Sequence, residues 1–273
     1  MLERGIRPEE VNPEVIYGFG MRLGMLITER LVREDRTPGL RMSSIGKPCE
    51  RQIWYEINQP ELGEPLRAET YMKFLYGDII EELMLFLAEL AGHEVTGRQD
   101  EQDIQGIKGH KDANIDGTVV DVKSASQYSF KKFANGSLAL DDPFGYIDQL
   151  QSYLCAGQTD DKVTDKDRAA FLVVDKVLGK ICLDIHKKSD KDYPAMFDRK
   201  KEMIKGDIPE RGFEAVPHQG SGNMKLGTNC SYCAFKKECW PGLRTFAYAN
   251  VGPISLTKVV KEPNVFEITE MPR

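Results

Sequence analysis

The dipeptide Asp116-Gly117 lies between two strand-like runs, and it constrains the fold around it more tightly than any other feature of the chain. A two-residue Asp-Gly loop between strand-forming residues is the strongest short-range hairpin signal, because a type I′ turn requires positive φ at both positions. With that turn Ile115 pairs with Thr118, and paired residue numbers sum to 233. Asp112 then stands opposite Asp121, and His110 opposite Lys123. Strand side chains alternate with period two, so all four point to one face. A four-residue loop would instead set Asp112 opposite Val119.

Directly opposed residues hold their Cβ atoms roughly 4.5–5.5 Å apart. Two carboxylates so placed repel unless a positive group sits between them. A divalent cation with oxygen ligands serves that need, and Mg²⁺ commonly combines one or two carboxylates with water and a substrate phosphate. Lys123, two residues beyond Asp121 on the same face, reaches the same point. There it can orient or help deprotonate an attacking water and stabilise phosphorane charge. The competing reading is a surface hairpin with charged outer positions. The neighbours Val119, Val120 and Val122 favour a buried strand, on which idle inward charges are costly.

Elsewhere the apolar pattern alternates between helix and strand. Val15–Arg33 has helical periodicity, as do 50–57 and a long stretch from Arg67 to Ala91 ended by Gly92. The region 94–124 is strand-rich. Helices are expected over 126–134, 143–156 and 193–205, and strands over 169–176 and 180–186. Residues 211–229 read as a Gly-rich loop and the residues after 240 as a Pro-containing tail. These readings give an arm over 1–40, a cysteine-bearing subdomain built from 41–65 and 225–245, a core over 66–224, and a tail over 246–273.

The six cysteines are Cys49, Cys155, Cys182, Cys230, Cys233 and Cys239. Cys230-x-x-Cys233-x5-Cys239 offers three thiolates within ten residues, with Cys49 as a fourth from far upstream. The spacing favours metal over disulfide, and it leaves an iron–sulfur cluster and Zn²⁺ equally open. Cys155 and Cys182 lie among apolar residues and read as buried small hydrophobes. No run of 18 apolar residues exists, and the first ten residues lack the apolar core of a secretory signal, so a cytoplasmic protein is expected. The net charge of −6 counts weakly against a nucleic-acid partner, since clustered carboxylates with bound cations reverse their sign locally.

Asp112 followed by Asp121-Val122-Lys123 resembles the motif of the PD-(D/E)xK nuclease superfamily. Two further elements resemble its RecB-like branch. Gly77-Asp78-Ile79-Ile80-Glu81 looks like a first motif in which Glu81 supplies a metal ligand, with Glu82 competing for the role. Tyr146-Ile147-Asp148-Gln149, continued to Tyr153, looks like a Gln-x-x-x-Tyr motif whose Gln149 and Tyr153 share a helix face. One early and three late cysteines flanking such a core resemble the iron–sulfur staple of AddB-type nucleases, CRISPR-adaptation exonucleases and related phage enzymes.

The resemblance implies an α/β, restriction-endonuclease-like core, a central mixed sheet flanked by helices, with an iron–sulfur-stapled helical subdomain. It implies a [4Fe–4S] cluster on Cys49, Cys230, Cys233 and Cys239. It further implies Mg²⁺ or Mn²⁺ on Glu81, Asp112, Asp121 and the backbone carbonyl near Val122, with Lys123, Gln149 and Tyr153 completing a catalytic set. The expected activity is phosphodiester hydrolysis by an exonuclease on DNA ends or single strands, in host cytoplasm if phage-encoded, beside a helicase or recombination partner. No phosphate loop of the Gly-x4-Gly-Lys-Ser/Thr type occurs, so no motor is expected in this chain. The alternative is a non-catalytic or partner-activated DNA-binding scaffold. His110 stays open between a ligand and a packed side chain.

Overall fold

A computed structural model describes residues 12–32, 38–249 and 251–269. Met1–Glu10 and Arg33, read above from the sequence, lie outside the described residues. The chain divides into two compact units: the first includes Pro13–Leu31, Arg41–Gly46 and Ala68–Phe197, and the second Lys47–Arg67 with Asp198 onward. Among the described residues no helix is long and apolar enough to cross a membrane.

The first unit is built on a mixed sheet flanked by helices. Its described strands are β1 (Val95–Thr96), β4 (Ala113–Ile115), β5 (Thr118–Ala125), β6 (Arg168–Asp175) and β7 (Ile181–Lys187), in the order β1-β4-β5-β6-β7. β5 and β6 are parallel and the other pairings antiparallel. A parallel pair needs a long crossover, and here it contains α5 (Gln127–Ala134) and α6 (Tyr146–Ala156). β2 (Glu101–Ile104) and β3 (Ile107–His110) form a separate ribbon.

α4 (Ala68–Leu90) lays Met84 and Leu85 on Ala113, Val120, Val122 and Ala170, burying the even-numbered face of β5. α1 (Pro13–Leu31) is capped by Asn12, whose side chain accepts from the Glu14 amide at 2.9 Å. It lies against α4 through stacked Phe19 and Phe86. Opposite the α4 side, Phe171 of β6 is fully buried edge-on to Phe133 of α5.

α6 begins without a capping side chain at Gly145; instead Asp142 accepts from the amides of Tyr146 and Ile147 at 3.0 and 2.9 Å. Gly145 has φ of +73°, and a Cβ there would overlap the backbone of Gly46, which follows the short α2 (Met42–Ile45). This backbone-to-backbone approach admits no side chain on either residue.

In the second unit α3 (Glu50–Asn58) packs Tyr55 on Phe235, rings stacked at 5.2 Å. The division between units falls within α7 (Tyr193–Lys205). The stretches expected as loop and tail hold strands: β8 (Val216–His218), β9 (Asn223–Lys225), β10 (Arg244–Tyr248) and β11 (Gly252–Lys258), in the order β10-β11-β9-β8. α8 (Thr228–Ser231) and α9 (Lys236–Cys239) lie between β9 and β10. The residues expected to form a helical subdomain, 41–65 and 225–245, hold the short helices α2, α3, α8 and α9, and the sheet is built from strands that flank 226–243 in sequence. Strands of three residues broken by Pro217, Gly220 and Gly222 are too short for alternation to be read, and only long-range pairing defines them. Buried Asn223 fastens the end of this sheet, accepting from the amides of Val260 and Lys261 at 2.7 and 2.8 Å and donating to the Lys261 carbonyl.

Gly145→Ala is expected to destabilise the fold by about 1–3 kcal/mol from left-handed strain alone, with steric overlap added. Urea unfolding of the variant against the wild type measures this.

Candidate active site

The hairpin adopts the tight turn. Asp116 and Gly117 have φ of +49° and +75°, and the ladder pairs Ile115 with Thr118, Asn114 with Val119 and Ala113 with Val120. Asp112, the residue before β4, lies one position beyond the last pair of the ladder and in the field of Asp121. Its Oδ2 accepts the Val122 amide at 2.7 Å. Asp121 is 2% exposed, and the Lys123 ammonium is ion-paired with it. Val120 and Val122 face α4, so the alternate residues Asp121 and Lys123 face the other side.

His110 does not join them. It pairs with Glu101 in the β2–β3 ribbon and is exposed. The chain leaves the β5 ladder at Lys111, whose fully buried ammonium is held by Asp160 at 2.5 Å. The last pair of the ladder, Ala113 with Val120, lies three residues short of the position expected for His110.

Glu81 and Glu82, equivalent as sequence, are separated by the helix. Glu82 is buried and committed to Arg22 of α1 at 2.7 Å and to Arg98 at 3.1 Å. Glu81 lies about 100° further round α4. It accepts from Gln99 Nε2 at 2.7 Å and is within electrostatic reach of Asp121 and Lys123. On α6, Gln149 and Tyr153 are hydrogen-bonded to each other, and the Tyr153 ring is 3% exposed, in the field of Asp121 and Asp112.

Two neighbours escaped the sequence reading. Tyr146, quoted only as part of a motif, presents its ring face to the Lys123 ammonium at 5.1 Å. Such a cation–π contact holds the cation's direction. An aromatic three residues before the motif glutamine was the available signal. Gln99 is a loop residue with no signal at all.

The acids share one field. Burial, then Asp121 and Asp78, push Glu81 up to about 7. Burial, then Asp121 and Glu81, push Asp112 well above the ordinary carboxylate range. Burial opposes the Lys123 charge, yet Asp121 and Asp112 outweigh it and hold its pKa above the ordinary lysine value. Burial raises Tyr153 to about 12. Among the described residues, no three Cys, His, Asp or Glu side chains are drawn together tightly enough to hold a single ion as they stand. The Lys123 ammonium is the cation that now offsets these charges.

In the second unit Cys49, Cys230, Cys233 and Cys239 line one pocket with Arg211, Gly212 and Trp240. None is in a disulfide. Burial pushes Cys233 up to about 12 and raises Cys230 and Cys239, the last against the pull of Arg51. Arg211 stacks on Trp240 at 4.3 Å. Cys155 and Cys182 are half-buried, not fully enclosed as expected; Cys182 lies on β7, the edge strand of its sheet.

No protein-family model matches the chain, and no curated protein matches it. Solved structures give remote matches. An alkaline exonuclease from Laribacter hongkongensis, LHK-Exo, is 14% identical with a TM-score of 0.41, over 62% of this chain and 86% of that one. A protein designated SSO0001 is 19% identical with a TM-score of 0.44, over 80% and 93%. A phage-related exonuclease from Haemophilus somnus 129PT is 14% identical with a TM-score of 0.38, over 64% and 93%. Overlap this slight carries no functional argument, so the reading of the chain rests on its own geometry.

The raised acids make the metal-free fold sensitive to pH. The folded Glu81 titrates at about 7, against 4.5 ordinarily. Between these values the folded chain binds more protons than the unfolded chain, so stability falls as pH rises through this window. Asp112, also raised, acts in the same direction. The melting temperature in EDTA is expected to drop from pH 5 to pH 8, and Glu81→Gln to flatten that drop. Calorimetry across the range measures both.

Proposed function

We propose that this chain is a divalent-metal-dependent deoxyribonuclease, an exonuclease acting on DNA ends or single strands. One observation carries the reading: Asp112, Asp121 and Glu81, from three separate segments, share a single field in which Lys123 is the only cation paired with them among the described residues. Acids forced together at a cost in stability are the mark of a site kept for binding.

The residues fit a hard cation. All donors are oxygens, as Mg²⁺ and Mn²⁺ prefer, and two of the acids are in the condition that a bound cation reverses. Glu81, Asp112 and Asp121 would hold it. The Val122 amide already points at Asp112, and in a strand the carbonyl of the same residue points the same way. That carbonyl would join the three acids as a ligand. When bound, the cation supplies Lewis-acid polarisation of the phosphate and a lowered pKa for water.

The chain's own groups do the rest. Lys123, protonated and aimed by Tyr146, orients the attacking water and stabilises charge on the phosphorane oxygens; its raised pKa makes it a poor base. Gln149 and Tyr153, on the helix crossing the site, would contact the strand beside the scissile bond.

The cysteine pocket is lined by four thiols. Zinc and a [4Fe–4S] cluster both take four thiolates, and the cluster is the group proposed for it. Bound there it would clip Cys49 to residues 230–239, a structural role that closes a long loop.

End-labelled single- and double-stranded DNA, incubated with anaerobically purified protein and Mg²⁺, Mn²⁺ or EDTA, tests the activity. Cleavage is expected with metal, falling by at least about 10²-fold in Asp121→Ala and Lys123→Ala. Wild-type protein that binds DNA without cutting it would favour a scaffold or partner-activated subunit. Cys49→Ser is expected to lose the brown colour of the cluster and its bound iron. Zinc in place of iron, found by elemental analysis, would overturn the cluster assignment.

A further inference from the structure

We infer that Gln99 is a positioning residue that sets two of the three carboxylates against each other, and that its strained backbone is retained for that task. This rests on the metal-site reading above. Gln99 lies in the link between β1 and β2, with φ of +52°, a left-handed conformation unusual for a residue with a side chain. Its side-chain amide donates to Glu81 Oε1 at 2.7 Å, and its backbone amide donates to the Asp112 carbonyl at 3.1 Å.

Among the described residues, Gln99 alone is hydrogen-bonded to both of those acids. Asp121 is fixed by its place within β5, where it is paired with Phe171 of β6. Glu81 rides on a helix and Asp112 precedes the first paired residue of β4, so neither is held by the sheet ladder. Gln99 supplies the missing tie, one arm to each.

The loop around it is built to hold this pose. Gly97, at φ of +60°, starts a turn closed by the Asp100 amide on the Gly97 carbonyl at 3.3 Å. Arg98 grips α4 through Glu82 at 3.1 Å and Glu89 at 2.9 Å. The Lys111 amide donates to the Asp100 carbonyl at 3.3 Å, binding the loop to the segment that carries Asp112. Neighbours on both sides thus over-determine the conformation of Gln99, as strain at a working site requires. The side chain leaves one oxygen of Glu81 bonded and the other available to a cation. This is the arrangement by which outer groups orient metal-binding carboxylates.

Two substitutions separate positioning from support of the fold. Gln99→Gly relieves the strain and removes the amide; Gln99→Ala keeps the strain and removes the amide. Mn²⁺ binding is followed by electron paramagnetic resonance without DNA, and unfolding in EDTA is followed by urea. Unfolding is expected at higher urea for Gln99→Gly than for Gln99→Ala, while both bind Mn²⁺ about 10–100-fold more weakly than the wild type. A Gln99→Gly protein that binds Mn²⁺ as tightly as the wild type would overturn the inference and leave the metal site standing. Affinity that merely follows stability across the pair would also overturn it. A wild type that binds no Mn²⁺ would remove the metal site and this inference together.

Discussion

The repulsion between Asp112 and Asp121 is the interaction on which the first unit turns. The tight hairpin brings the two acids into one field, and burial sharpens their conflict. Everything near them answers that strain. Lys123 offsets the charge, Tyr146 directs Lys123, the Val122 amide takes one oxygen of Asp112, and Gln99 steadies Glu81. A surface hairpin would have let the same charges relax into solvent.

How much of this was legible depended on range. The hairpin register was readable because a two-residue turn and period-two alternation act over fewer than a dozen residues. The long helix and α6 were readable by the same local logic, and with them the positions of Glu81, Gln149 and Tyr153. His110 was misplaced because the sequence shows no sign of where a ladder stops. That is set by Lys111 reaching Asp160, a contact between distant segments. Glu81 and Glu82 could not be told apart until Arg22 and Arg98 claimed one of them.

The four-stranded sheet of the second unit was hidden for a related reason. Its strands are short, carry proline and glycine, and gain their identity from pairing β9 with β11 about thirty residues later. Cysteine spacing, by contrast, was informative because ligand chemistry constrains residue type as well as position. All four cysteines line one pocket, although Cys49 comes from far upstream.

The parallel pairing of β5 with β6 has a consequence in time. It matches Val119 with Ala169, fifty positions on, whereas the hairpin closes over two residues. Local turns close in microseconds, and long-range parallel pairing is slower because the chain between must first be brought round. Asp112 and Asp121 therefore meet early, in water, where counter-ions and solvent screen them. The dry environment that sharpens their conflict arrives only when β6 docks, so the molecule assembles its most expensive pair of charges before it has to bear their cost.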